Sequence, residues 1–165
     1  PLQIPAVRQR LQGRVALPSQ NQSPDMIVGR VAQLVRESRQ IPATTRIPIP
    51  VALAFSKIDA VRDLVEPGSP IHRASHHDGY FDLDDAQRMN DSMRAYVAEW
   101  VGHGLHTFLD HNFKRFAYFG LSALGTMPDP QGNLPAGVAP FRVEDPFLWI
   151  LQQHGLVPGR KDVRR

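Results

Sequence analysis

Three polar residues that can do chemistry stand directly after an apolar stretch of the chain. Ser56, Lys57 and Asp59 follow residues 49–55, a short apolar run typical of a strand buried on both faces. In parallel sheets covered by helices, ligands bind just beyond the carboxyl ends of the strands. A hydroxyl, an ammonium group and a carboxylate at that place can each hydrogen-bond a ligand. The stretch therefore predicts a ligand-binding strand end.

A second strand is predicted to end in the same way. It covers residues 114–121, and Ser122, Ala123 and Leu124 follow it. The long helical pattern between the two predicted strands is typical of a crossover between parallel neighbours. We therefore expect the two strands to be parallel and adjacent, with their carboxyl ends side by side at one edge of a sheet.

Both strand ends carry short motifs of a known family. Residues 56–59, Ser-Lys-Ile-Asp, resemble the guanine-recognition motif of P-loop GTPases, which is written Asn/Thr-Lys-x-Asp. Residues 122–124, Ser-Ala-Leu, resemble the last motif of the same family, Ser-Ala-Lys/Leu. The resemblance covers residues 49–155 and implies the carboxyl-terminal half of a TRAFAC-type GTPase domain. The segment between the motifs and residues 143–149 are most similar to the bacterial double-GTPase families of conflict and effector systems.

The resemblance implies a guanine site for GTP or GDP. The carboxylate of Asp59 would accept hydrogen bonds from the ring N–H and the exocyclic amine of guanine, a donor pair that adenine lacks. The stem of Lys57 would lie along the face of the base, and the backbone N–H of Ala123 would meet the guanine carbonyl oxygen. The implied guanine-binding residues are Ser56, Lys57, Asp59, Ser122, Ala123 and Leu124.

The sequence departs from the family pattern in two ways. Ser56 replaces the Asn or Thr whose side chain ties this loop to the phosphate loop. The chain also contains no Gly-x-x-x-x-Gly-Lys-Ser/Thr motif, so these residues supply neither a phosphate cradle nor the hydroxyl that binds Mg²⁺. We therefore expect a base-recognition half-site that does not hydrolyse GTP alone and that involves Mg²⁺ only with the missing phosphate-loop half. The opening residues 1–5 are typical of a fragment of a longer protein.

Two other functions stay open at the level of the sequence. One is a metal site, because imidazoles and carboxylates recur at intervals of four, three and four residues on one helix face. That set is Glu99, His103, His106 and Asp110. A second group of possible metal ligands lies in a polar loop and comprises His72, His76, His77 and Asp78. The other function is a non-enzymatic interaction module of a larger α/β protein.

The elements that must position these residues alternate between helix and strand. Capping residues and apolar periodicity predict helices over about residues 24–38, from Asp82 or Asp84 to about 112, and over about 144–154. This order predicts an α/β fold, a three-layer parallel sheet that is incomplete. The predicted segments are an irregular lead-in with an amphipathic helix (1–47), the GTPase-like half-domain (48–157) and a basic tail (158–165).

Composition narrows the class of protein. The chain has 165 residues, of which 42% are hydrophobic, a formal net charge of +3 and no cysteine. It has no apolar run of about 18 residues, the minimum for a membrane span, so no membrane partner is expected. The absence of cysteine excludes disulfides and fits a cytoplasmic protein. Basic residues without interleaved aromatics do not indicate nucleic-acid binding. The expected partners are a guanine nucleotide and the remainder of the parent protein or a partner chain, because an incomplete sheet leaves an edge open.

Overall fold

The chain divides into two units, each made of two separate stretches of sequence. The strand unit consists of Ala52–Arg94 and Ala117–Arg165, and the helical unit of Leu2–Val51 and Ala95–Phe116. The structure, a computed structural model, describes residues 2–13, 23–129, 131–134 and 137–161. In this division residues 95–116 group with the amino-terminal stretch, and the segments 1–47, 48–157 and 158–165 stay predictions.

The first sheet joins the two strands that the sequence predicts. Strand β1 (Val51–Phe55) is the neighbour of strand β3 (Phe116–Gly120). At the carboxyl ends, the N–H of Leu121 donates to the carbonyl oxygen of Phe55 at 3.1 Å, and the carbonyl oxygen of Leu121 accepts from the N–H of Ile58 at 3.1 Å. In a parallel pair, the N–H and the carbonyl oxygen of one residue bond to two different residues of the neighbouring segment, as they do at Leu121. The predicted α/β class and the parallel adjacency of these strands are confirmed.

A second, smaller sheet was not predicted. Strand β2 (Phe81–Asp82) pairs in parallel with strand β4 (Gly159–Arg160). The sequence predicts a helix from Asp82 or Asp84 and a basic tail over residues 158–165, but no strand in either place. Two residues are too few to show an alternating pattern, so this pairing leaves no periodic signal in the sequence.

The core of the strand unit lies around β3 and helix α5 (Asp145–Gln153). Four buried side chains form one cluster: Phe81, Ala117, Phe119 and Trp149. The rings of Phe119 and Trp149 are 5.9 Å apart between centroids. At the carboxyl end of β3, a Cβ on Gly120 would lie 3.0 Å from the sulfur of Met93 and 3.1 Å from a side-chain carbon of Ile58. Glycine thus lets these side chains approach the strand end closely.

The long helix of the sequence analysis is two helices. Helix α3 (Leu83–Val101) and helix α4 (Gly104–Asn112) are separated at Gly102, whose φ is +89°. The prediction of one continuous helix is therefore wrong at this point, because the left-handed conformation of Gly102 ends α3. The predicted start is correct: the carboxylate of Asp82 accepts hydrogen bonds from the N–H groups of Asp84 (3.0 Å) and Asp85 (2.9 Å).

The helical unit contains helix α1 (Pro5–Leu11), helix α2 (Pro24–Arg39), α4 and the last residues of α3. The hydroxyl of Ser23 caps α2 by accepting from the N–H of Met26 at 3.4 Å, as the Ser-Pro-Asp start predicts. At the other end of α2, Arg36 donates to the carbonyl oxygens of Pro42 (2.6 Å) and Thr45 (2.8 Å). In the described ranges, no helix combines the length and the apolar character that crossing a membrane requires.

Candidate functional site

All six predicted guanine-site residues line one cleft of the strand unit. The cleft has a volume of about 320 Å³ and lies at the carboxyl ends of β1 and β3. Its lining includes Ser56, Lys57, Asp59, Ser122, Ala123 and Leu124, together with Leu121, Thr126, Met127 and Pro128. The fold thus brings together two short motifs that are far apart in the sequence. The residues added by the structure are mostly apolar, which suits the faces of a flat ring.

The first wall of the cleft begins where β1 ends. Lys57 has a φ of +57° and a ψ of +41°, a left-handed conformation that is uncommon outside glycine. The next residue, Ile58, is fully buried, and the side chain of Lys57 itself is exposed. A 3₁₀ helix then covers Ile58–Leu64 and carries Asp59 in its first turn. The turn at Lys57 therefore directs one apolar residue inward and leaves its polar neighbours at the cleft.

Asp59 has the most unusual surroundings in the cleft. Its Oδ1 atom is buried and has no hydrogen-bond partner among the residues that the structure describes. Buried polar atoms are paired in the great majority of cases, because an unpaired one costs about 1–3 kcal/mol. Asp59 also lines the cleft, so its unpaired oxygen is an acceptor that a ligand N–H group can satisfy once the carboxylate turns toward the cleft.

The second wall is a turn that follows β3. Ser122 is buried, and its hydroxyl oxygen accepts from the N–H of Gly125 at 2.9 Å. Its backbone exchanges two hydrogen bonds with Phe141, at 2.9 and 2.8 Å. Ala123 is exposed, and its N–H has no partner in the described part of the chain. The second wall therefore offers a free donor on a fixed backbone, opposite in type to the acceptor of Asp59.

Arg62 connects the two walls, a role that the sequence does not reveal. It belongs to the same 3₁₀ helix as Asp59, and its Nη1 donates to the carbonyl oxygen of Gly125 at 3.4 Å. Its guanidinium carbon lies 4.4 Å from the centre of the Phe141 ring, within the range of a cation–π contact. Gly125 belongs to the turn that carries Ser122, and Phe141 pairs with Ser122 through its backbone, so Arg62 fixes that turn to the helix of Asp59.

Gly125 allows this turn to close. Its φ is +77°, and a Cβ at this position would overlap with the carbonyl oxygen of Ala139, while the carbonyl carbon would be 2.9 Å away. Gly125→Ala is therefore expected to lower the free energy of unfolding by about 2–3 kcal/mol, because backbone strain and a backbone overlap add together. Urea unfolding measures the change.

Gly132→Ala is the matched control for Gly125→Ala. Its φ is +85°, but a Cβ there would have no atom of a described residue within 4 Å. Gly132→Ala should therefore lower the free energy of unfolding by only about 1 kcal/mol, the cost of the left-handed backbone conformation alone. Equal losses in the two variants would show that the overlap at Ala139 is absent in solution.

A buried charge cluster lies at the far end of the loop that forms the second wall. The side chain of Arg142 is fully buried. It donates to both carboxylate oxygens of Asp85, at 2.6 and 3.1 Å, and to Asp145 at 2.8 Å. Its Nε donates to the carbonyl oxygen of Arg73 at 2.8 Å. Because Phe141 directly precedes Arg142, the cluster also anchors the residue whose backbone pairs with Ser122.

Asp145 accepts two further hydrogen bonds in this cluster. They come from the hydroxyl of Ser75 at 2.7 Å and from Nε2 of His77 at 3.2 Å. Partial burial raises the pKa of Asp85, but the hydrogen bonds and charge of Arg142 outweigh it, so that this pKa lies below its ordinary value of 3.8. Ser75 and His77 both donate to the same oxygen of Asp145 and not to each other. His77 is therefore not placed as a base for the Ser75 hydroxyl, and the set acts as a structural anchor.

The structure does not bring the predicted metal ligands together among the residues it describes. Glu99 forms an ion pair with Arg10 at 2.7 Å, and Asp110 forms one with Arg46 at 3.5 Å. The break at Gly102 also removes the common helix face on which the spacing of Glu99, His103, His106 and Asp110 depends. In the described ranges, no group of three or more His, Asp or Glu side chains could hold a metal ion.

Comparison of the chain with protein-family models, with curated proteins and with solved structures finds no match. No relative therefore indicates a function for this chain. The cleft geometry and the motif resemblance carry the functional argument by themselves.

Proposed function

We propose that the cleft binds the guanine base of GTP or GDP, as the base-recognition half of a GTPase-like protein. The observation that carries the proposal is the buried, unpaired Oδ1 of Asp59 at a cleft that all six motif residues line. Guanine supplies two adjacent N–H donors that satisfy a carboxylate, and its carbonyl oxygen is the acceptor that the N–H of Ala123 lacks. Adenine has neither this donor pair nor this carbonyl group, and would leave the Asp59 carboxylate unpaired.

The remaining contacts suit a flat aromatic ligand. The exposed Lys57 has a long aliphatic stem that can cover one face of a base while its ammonium group stays hydrated. Apolar groups of Leu121, Met127 and Pro128 line the same cleft. A slot with few polar groups and apolar faces is the usual form of a small-molecule site.

The proposal extends to the protein in which the chain functions. We infer a parent with the three-layer fold of a P-loop GTPase, related to the bacterial double-GTPase families and acting in the cytoplasm. The phosphate loop and the Mg²⁺ site belong to another part of that protein or to a partner chain, since residues 1–165 contain no such motif. The chain alone then recognises the base without hydrolysing GTP.

The test is a titration of the chain with guanosine, GMP, GDP and adenosine, followed by ¹H–¹⁵N NMR. We expect the three guanine ligands to shift the same amide signals, those of residues 57–59 and 122–124, with similar dissociation constants. Equal affinities follow because the base makes the contacts and these residues supply no phosphate cradle. Equal binding of adenosine, or no shifts at these amides in a folded chain, would end the proposal.

A further inference from the structure

One side of helix α2 is apolar and is exposed among the residues that the structure describes. The helix packs through Ala32, which is only 3% exposed, and through the half-buried Val28 and Val35. Three large apolar side chains on its neighbouring side stay in solvent: Ile27 (50% exposed), Val31 (44%) and Leu34 (48%). The helical spacing predicts one apolar stripe of Ile27, Val28, Val31, Leu34 and Val35, but the structure covers only part of it. We call Ile27, Val31 and Leu34 the exposed seam.

The exposed seam has the spacing of a helix–helix contact. Its residues are separated by four and then three positions, the alternation that keeps apolar side chains facing a second helix. A contiguous apolar strip on the surface often marks an interaction site. The seam therefore fits another helix better than a small ligand.

Charged residues along one edge of the seam indicate which helix that is. Arg30 and Glu37 lie on the same edge, because Gln33 bridges them: Arg30 donates to Gln33 at 3.3 Å, and Gln33 donates to Glu37 at 2.7 Å. All three side chains are exposed, so these bonds rearrange at little cost. The edge thus carries one positive and one negative end, seven residues apart.

We propose that two copies of this chain associate through the exposed seam of α2, with the two helices antiparallel. A two-fold axis perpendicular to such a pair places Arg30 of each copy opposite Glu37 of the other, so the surface is complementary to itself. A parallel pair would place these two charges on opposite edges of the seam, where they could not meet. The charge order along α2 selects a second copy in the antiparallel arrangement.

The expected association is weak and concentration-dependent. A pair of 16-residue helices buries less than the roughly 1,200–2,000 Å² of a typical stable interface. We expect a dissociation constant of about 10 μM to 1 mM, and sedimentation velocity of the full chain over a range of concentrations measures it. Val31→Glu should leave the helix content unchanged and abolish the dimer.

Charge exchange gives the sharper test of the arrangement. Arg30→Glu alone and Glu37→Arg alone should each weaken self-association about ten-fold, since both ion pairs become repulsive. An equimolar mixture of the two variants should recover the original affinity, because each copy then meets its opposite charge. The double variant Arg30→Glu/Glu37→Arg should recover it as well. The matched control is Arg39→Glu, an exposed charge reversal off the seam, which should change the affinity less than two-fold.

Three results would overturn the proposal. A chain that stays monomeric up to about 1 mM would show that the seam serves another partner or none. A dimer that persists in folded Val31→Glu would place the interface elsewhere. A mixture of the single variants that dissociates as readily as either one would exclude the antiparallel pairing.

Discussion

Replacing Arg142 by methionine is expected to lower the free energy of unfolding by about 3–5 kcal/mol. Methionine fills much of the same space but donates no hydrogen bond, so Asp85 and Asp145 would lose their shared cation. The side chain of Asp145 is only 4% exposed and that of Asp85 only 15%, so water cannot replace the lost partner well. Urea unfolding of the variant beside the unchanged chain measures the effect.

Arg88→Met is the matched control for Arg142→Met. Arg88 also faces Asp85, at 3.6 Å, but its side chain is 56% exposed. A surface ion pair of this kind contributes about 0–1 kcal/mol. If the two variants lost the same stability, the cluster would be a solvated surface feature rather than a buried anchor. The double variant Arg142→Met/Asp85→Asn should be less unstable than Arg142→Met, since it removes one of the two unpaired charges.

The second large effect is expected at Asp59. Asp59→Asn should weaken guanosine and GDP about 5- to 150-fold, because a bidentate contact to a base is worth about 1–3 kcal/mol. An amide offers one acceptor and one donor where the carboxylate offers two acceptors. Xanthosine, which has a carbonyl in place of the amine, should therefore bind the variant better than it binds the original chain. The NMR titration that tests the guanine site measures all of these affinities.

Two further substitutions separate base recognition from general damage to the cleft. Asp63→Asn changes an exposed carboxylate of the same 3₁₀ helix and should leave every affinity unchanged. Lys57→Ala should weaken all purines together without changing their order, since a stem on a ring face does not sense the groups at the ring edge. If Asp59→Asn behaved like Asp63→Asn, the unpaired Oδ1 would have no part in binding.

Local sequence signals predicted the elements that have strong local causes. Helix α2 begins at Ser23-Pro24 because the cap, the fixed φ of proline and the first-turn acid act within four residues. Strand β1 was visible as an apolar run, and its polar end placed Ser56 and Asp59 in the cleft. The approach of the two motifs followed from parallel pairing alone, and the structure confirms that pairing.

The features that the sequence could not predict depend on contacts between distant residues. Nothing in the sequence distinguishes Arg142 from the other arginines. Only the fold brings it to Asp85, which is far away in the chain. Helix propensity indicates that Gly102 weakens a helix, but whether it bends or ends the helix depends on the packing of the flanking turns. The buried and the exposed apolar residues of α2 follow the same helical period. Periodicity therefore could not show that Val28 is half-buried while Ile27 is exposed.

The two-stretch composition of each unit has a consequence for the order of folding. During synthesis the helical unit lacks part of its chain until residue 116 has emerged, because α4 belongs to it. The strand unit must wait longer still, since β2 pairs with Gly159–Arg160 and α5 supplies Trp149 to the core. Non-local pairing of this kind slows folding, and it leaves β1 without its neighbour β3 while the intervening residues are made. The newly made apolar strand 51–55 is therefore exposed to aggregation until β3 has been made and pairs with it.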